Sequence, residues 1–241
     1  PAELMLPLDR PRPVHPLQTV GSVPFALPED MITRIEALAR GHGATPFMVL
    51  HAAVSALLSR LGAGTDIAIG TAVAGRADAA LEALVGFFVN TLVLRLDLGG
   101  DPDFGALVAR SREVCLDAYM NQDVPFERLV EVLDPPRVLG RQPLFQTMLV
   151  LNSGVEGSFA APGLKTQPLS VSVPTAKFDL CFTFTEEDGA WRGELEYSAE
   201  LFDRASADGL AARLIGLLEQ GVAGPARRGS ERAVLLPEGT A

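Results

Sequence analysis

The 241-residue chain is long enough for one large domain or two small ones, and its 48% hydrophobic content allows a sizeable core. A net charge of −10 argues against a nucleic-acid or anionic-membrane surface, because no cluster of Lys and Arg stands ready to neutralise phosphates. The one basic group, Arg227, Arg228 and Arg232, lies in a polar stretch and reads as a solvated linker.

Residues 1–28 are rich in proline and lack a helical period. Each proline restrains its own φ and biases its predecessor toward extended geometry, so this segment is expected to be an extended arm. No signal peptide opens the chain, and no window approaches about 18 uninterrupted apolar residues, so no membrane span is expected. Asp30 to Arg40 has Ile32, Ile35, Leu38 and Ala39 on one helical face and ends at Gly41 and Gly43. Thr45-Pro46 supplies an N-cap and a first-turn proline for a helix to Leu61, burying Phe47, Leu50, Val54, Leu57, Leu58 and Leu61.

Asp66 to Ala72 reads as a short buried strand, Gly75 to Asp78 as a loop, and Val89 to Leu96 as an alternating strand. A long amphipathic helix carries Phe104, Leu107, Val108, Ser111, Val114, Cys115 and Ala118. A shorter helix starts near Asp123-Val124-Pro125, where acid and proline suit a helix N-terminus. Gln146 to Leu151 is a strand and Ser153 to Thr175 a Gly/Pro/Ser-rich excursion. Lys177 to Thr185 pairs with Trp191 to Ser198 across Glu187-Asp188-Gly189, a hairpin turn. The last helix, Arg204 to Val222, is capped by Asp203, and a polar tail follows. These elements predict an α/β fold with a mixed sheet packed against helices.

The residues name no nucleophile. His15, His42 and His51 have no carboxylate or thiolate at ligand spacing, so metal binding is not expected. His51, alone on an apolar helix, reads as a satisfied core histidine. No glycine pattern cradles phosphate, and no Gly-x-Ser-x-Gly elbow is present. Cys115 and Cys181 lie among apolar neighbours and read as small buried hydrophobes in a cytosolic chain, although two cysteines also allow a disulfide.

Four blocks in order resemble the C-terminal half of the condensation domain of nonribosomal peptide synthetases. They are LPLDRPRP (Leu6 to Pro13), GTAVAGRADAALEALVGFFVNTLVLR (Gly70 to Arg95), NQDVPFERLVEVL (Asn121 to Leu133) and RQPLFQTMLVLNS (Arg141 to Ser153). The resemblance implies a chloramphenicol-acetyltransferase-like lobe, one of two that form a V around a tunnel. It divides the chain into an inter-lobe arm (1–28), the lobe (29–222) and the start of a linker (223–241). In that family, donor and acceptor reach the tunnel on phosphopantetheine arms of carrier proteins, and the acceptor amine attacks the donor thioester. No cofactor is held by the lobe itself.

The family's His-His-x-x-x-Asp-Gly motif belongs to the N-terminal lobe and is not in this sequence. The resemblance therefore implies no catalytic residue here, and a lone lobe that makes no peptide bond. The implied partners are that N-terminal lobe, peptidyl and aminoacyl carrier proteins and a neighbouring adenylation domain, in the cytoplasm of a high-GC bacterium.

By the same resemblance, the substrate-tunnel residues are Asn90, Phe87, Thr91, Arg76 and Gly75. Asn90 faces the tunnel and hydrogen-bonds substrate, or alternatively only starts its strand and bonds backbone. Gly75 and Arg76 belong to the tunnel-floor loop, or Arg76 is an ordinary surface arginine. At least one of Phe87 and Phe88 is expected in the core, and residues 153–177 correspond to a latch across the partner lobe. Two other readings remain: an epimerisation-type relative, and a non-catalytic interaction module of the same fold.

Overall fold

In the computed structural model, the described residues are 4–76, 79–81, 83–152, 175–187 and 190–231. Residues 153–174 of the expected latch and the tip of the expected hairpin turn lie outside them. Six strands form one mixed sheet: β1 (Val20–Ala26), β2 (Asp66–Val73), β3 (Asn90–Asp97), β4 (Thr147–Asn152), β5 (Leu180–Glu187) and β6 (Ala190–Ser198). Their spatial order is β1-β6-β5-β4-β2-β3. β2 runs parallel to β4, and β4 to β5, while the outer pairs are antiparallel.

The helices are α1 (Glu29–Gly41), α2 (Pro46–Leu58), α3 (Phe104–Met120), α4 (Phe126–Leu133) and α5 (Arg204–Ala223). Strand alternation sends Ile67 and Ile69, Leu149, Phe182 and Phe184, and Leu195 and Tyr197 into one large core with α1, α2, α3 and α5. α2 lies at its centre, with every residue from Met48 to Leu58 buried. Pro46–Ala63 is long and apolar enough to cross a membrane, but its residues are mostly packed inside the fold. Thr45 caps α2 through its hydroxyl, with Pro46 in the first turn.

Several expectations are corrected. The arm does not stay apart: Val20–Ala26 is strand β1, paired in register with β6 from Val20↔Ser198 to Ala26↔Arg192. Pro24 within it sits on an edge strand, where a missing N–H costs no ladder bond. α2 is α-helical only to Leu58 and then widens into a π-turn, Ser59–Ala63, closed by Gly62 at φ 97°. The residue at the N-cap of α4 is Pro125, without a side-chain cap, so Asp123 does not supply that bond.

Asp203 occupies the N-cap of α5 but does not cap it with its own side chain. Asp9 from the arm supplies the acceptors instead, from Asp203 N–H at 2.7 Å and the Ser206 hydroxyl at 2.8 Å. The tail is bound as far as residue 231: Ser230 donates its N–H and hydroxyl to the Asp101 carboxylate at 2.8 and 2.6 Å.

The arm is strapped to one end of the sheet. Arg10 donates to Asp203 and to the Ala199 and Phe202 carbonyls. Arg12 grips both oxygens of Asp179, at 3.0 and 2.5 Å, in a pair whose side chains are only 16% and 7% exposed. Asp179 N–H in turn donates to the Gln146 carbonyl at the start of β4. The proline-rich composition keeps the arm extended, and the two arginines and Asp9 bind it down.

Candidate functional site

β2 ends and β3 begins at a paired position, Val73↔Asn90, so residues 74–89 leave the sheet and return to the same place. Gly75 makes the crossing possible. Its φ is +64°, and a Cβ there would lie 1.8 Å from the Phe88 carbonyl oxygen. The Arg76 guanidinium stacks 4.2 Å from the centroid of the Phe88 ring and also donates to the Leu81 carbonyl. This base carries an apolar tip: Val85 is fully exposed, Phe87 is 90% exposed, and Leu84 and Val89 are about half exposed. Neither phenylalanine is therefore in the core; Phe87 projects outward and Phe88 lies half-buried beside Arg76.

Asn90 is committed to backbone. Its Nδ2 donates to the carbonyls of Gln122 at 2.7 Å and Val124 at 2.8 Å. Its Oδ1 accepts from the N–H of Phe126 at 3.1 Å and of Thr91 at 2.9 Å. A primary amide has two donors and two acceptor lone pairs, so this set uses its full capacity. That geometry is the strand-starting, backbone-bonding alternative, realised against the turn that leads into α4. Thr91, next in the strand, points to the opposite face of the sheet and pairs with Ala72.

The structure thus brings Gly75, Arg76 and Asn90 together with the turn 120–126, and points Phe87 away from them. The part that sequence reasoning missed is the turn's role as Asn90's partner. The one available signal was the block NQDVPFE (Asn121 to Glu127), which opens a proline-restrained helix start.

α4 has no buried residue, although its apolar side chains lie on one face. Beside it an open groove of about 450 Å³ is lined by Phe126, Val130, Pro136, Val138, Arg137 and Arg141 among others. Phe145 anchors that side of the sheet, with ring centroids 5.7 Å from Phe126 and 5.5 Å from Phe178.

His51 is fully buried in α2, its ring stacked parallel to Phe47. Its Nδ1 lies 2.8 Å from Ser111 Oγ, whose proton goes to the Met48 carbonyl at 2.9 Å, so Nδ1–H is the donor of that pair. Nε2 makes no hydrogen bond of good geometry, and an interaction with the Leu94 backbone partly supports the charged ring. Burial removes the solvation of the charged ring and lowers its pKa to about 4. An imidazole enclosed in this way is not presented to a substrate.

Cys115 and Cys181 are free thiols, the first buried and the second half-buried. Desolvation raises each to about 11. Among the described residues no group of three or more His, Cys, Asp or Glu is placed to hold a metal ion.

A mixed sheet with helices on its core face is the chloramphenicol-acetyltransferase-like architecture of condensation-domain structures. The profile of the condensation-domain family matches residues 2–241, and the chain belongs to that family. Condensation domains are acyltransferases that form amide bonds.

Among curated relatives, a probable nonribosomal peptide synthetase of Salinispora arenicola is 49% identical over 95% of this chain and 3% of its own length. A dimodular nonribosomal peptide synthase of Bacillus subtilis is 45% identical over 99% of this chain and 10% of its own. Among solved structures, the X-domain from teicoplanin biosynthesis is 36% identical with a TM-score of 0.92, covering 98% of this chain and 54% of that one. A four-domain nonribosomal peptide synthetase is 25% identical with a TM-score of 0.90, covering 99% of this chain and 19% of that one. The chain therefore spans a small fraction of its curated relatives and about half of the X-domain structure.

Proposed function

We propose that this chain is the C-terminal, acceptor-side lobe of a two-lobe condensation domain. With its N-terminal lobe it joins a carrier-bound donor thioester to a carrier-bound acceptor amine. The observation that carries this reading is the apolar tip formed by Leu84, Val85, Phe87 and Val89, uncovered among the described residues of a chain that covers 54% of a similar solved structure. An exposed apolar prominence of this kind marks an interface.

In this reading the loop closed by Gly75 and Arg76 crosses to the partner lobe as the tunnel floor, and Phe87 and Thr91 border the tunnel. Both substrates arrive on phosphopantetheine arms, presented by carrier proteins within an assembly that includes an adenylation domain. A bacterial, cytoplasmic origin is consistent with the Salinispora and Bacillus relatives. The chain alone is proposed to be inactive, because the His-His-x-x-x-Asp-Gly motif is not in its sequence and its one buried histidine is enclosed in the core.

A second reading has a specific observation behind it: the X-domain is more similar in sequence, at 36%, than the four-domain synthetase, at 25%. That X-domain was also solved in complex with OxyB. In this reading the same fold is a non-catalytic docking module.

The deciding experiment expresses this chain alone and with the protein segment encoded immediately upstream, and supplies loaded donor and acceptor carriers. Dipeptidyl-carrier product is expected from the pair and not from the single lobe. Product from the lobe alone overturns the proposed division of labour. A folded pair that forms no product overturns the catalytic reading in favour of docking.

A further inference from the structure

We infer that Asn90 is a positioning residue, the joint that holds the crossing loop and the turn before α4 together as one apolar surface for the partner lobe. The inference rests on the two-lobe reading above and replaces a substrate contact with a mechanical role. On one side of the joint stand Val85, Phe87 and Val89, and on the other Met120, 85% exposed, and Val124. Between them the described backbone is tied by three bonds of the Asn90 amide, two given to the carbonyls of Gln122 and Val124 and one taken from Phe126 N–H, while Thr91 N–H holds the amide from its own strand.

The crossing loop is stiffened independently at its base. Gly75 allows the close approach to the Phe88 carbonyl, and Arg76 holds the Phe88 ring and the Leu81 carbonyl. The loop is thus closed on itself at one end and fastened to the turn at the other. Asn is the residue type this position requires. Asp offers acceptors but no N–H for the two carbonyls, and Leu offers neither.

The surface presented therefore depends on Asn90 although Asn90 contributes none of its apolar area. Loss of the amide should leave the core intact, since Leu92, Leu94 and Leu96 of the same strand pack on the other helices and strands.

The test compares amide hydrogen exchange in this chain for wild type, Asn90→Ala and Asn90→Asp. In Asn90→Ala the Thr91 and Phe126 amides should exchange at least about tenfold faster, as expected for a lost hydrogen bond, while the amides of α2 and β5 stay protected. Asn90→Asp keeps both acceptor bonds but turns a carboxylate toward two carbonyl oxygens. The 120–126 amides should exchange faster at pH 7. Protection should return toward pH 5 after correction for intrinsic rates, as the protonated carboxyl donates again.

Unchanged exchange in 120–126 in both variants overturns the joint. If Asn90→Ala is recovered unfolded, Asn90→Asp and its pH recovery decide the matter. In the two-lobe protein, either variant should lower kcat by about tenfold with acceptor KM within about twofold of wild type. A raised acceptor KM at unchanged kcat would mean that Asn90 touches substrate, and so overturns the inference. An inactive wild-type two-lobe protein defeats the condensation reading instead, and leaves the exchange result to judge the joint.

Discussion

Acidification should destabilise this lobe through His51 before the depressed carboxylates take effect. The folded ring has a pKa of about 4 because burial disfavours its charged form, against 6.5 for the unfolded residue. Between those values the unfolded state binds a proton that the folded state refuses, so stability falls as pH falls. The full contribution is present above pH 6.5, and the loss is complete once pH drops through about 4. At 1.36 kcal/mol per unit, the shift corresponds to about 3 kcal/mol, a sizeable part of the stability of an ordinary domain.

The assay is urea unfolding at pH intervals from 8 to 4, for wild type and His51→Leu. Leucine keeps the ring's approximate volume, and Ser111 retains its bond to the Met48 carbonyl. The variant should start no more than about 2 kcal/mol less stable at pH 8, and its stability should lose most of its slope between pH 6.5 and 4. Glu196, raised by burial and then by Glu194, changes stability in the opposite direction over part of this window. Asp66, lowered mainly by its bond to Arg95, titrates below its ordinary range. The difference between the two curves therefore isolates His51. Parallel curves for wild type and variant would refute the reasoning.

Arg12→Ala should cost about 2–4 kcal/mol, because it removes the two-pronged partner of a carboxylate only 7% exposed, and Arg12→Lys should recover only part of it; urea midpoints measure both. Gly75→Ala should destabilise by at least about 2 kcal/mol, given a positive φ and a Cβ placed against the Phe88 carbonyl; a thermal midpoint within a degree of wild type would contradict this. Cys115, buried and raised to about 11, should resist thiol reagents at pH 8 until urea unfolds the lobe; stoichiometric labelling of Cys115 in the native protein would contradict the burial.

Much of the layer structure was legible because its patterns are local. The alternation of β3, the apolar run of α2 and the Thr45-Pro46 start each carry their own period or cap. The family blocks drew attention to the crossing loop and to the segment that starts α4. What was not legible depended on distant partners. Val20–Ala26 is a strand because β6 lies beside it, and a run containing Pro24 and Gly21 has weak strand character of its own.

Asp203 looks like a cap by position, yet Asp9, 194 residues away in sequence, takes that role. Phe87 looks like core by composition, but its place beside Gly86 in a loop leaves it outside every hydrophobic cluster. Asn90 was singled out as a tunnel residue, with backbone bonding as the alternative. Its partners, however, are backbone atoms of a turn 32 to 36 residues downstream, and no side-chain pattern announces a carbonyl acceptor.

The strapped arm has a consequence for how the lobe comes into being. Arg10 meets Asp203 across 193 positions, Arg12 meets Asp179 across 167, and β1 can pair only after β6 exists. Sequence-distant closures of this kind slow folding, since a long loop must be ordered before any contact rewards it. During synthesis Arg10 and Arg12 wait for partners that lie 193 and 167 positions further along the chain. Until then the edge of β6 stands bare, open to pairing with another chain. The arm and β1 are therefore made before β5 and β6 but settled after them, and they complete the sheet by covering the margin of β6.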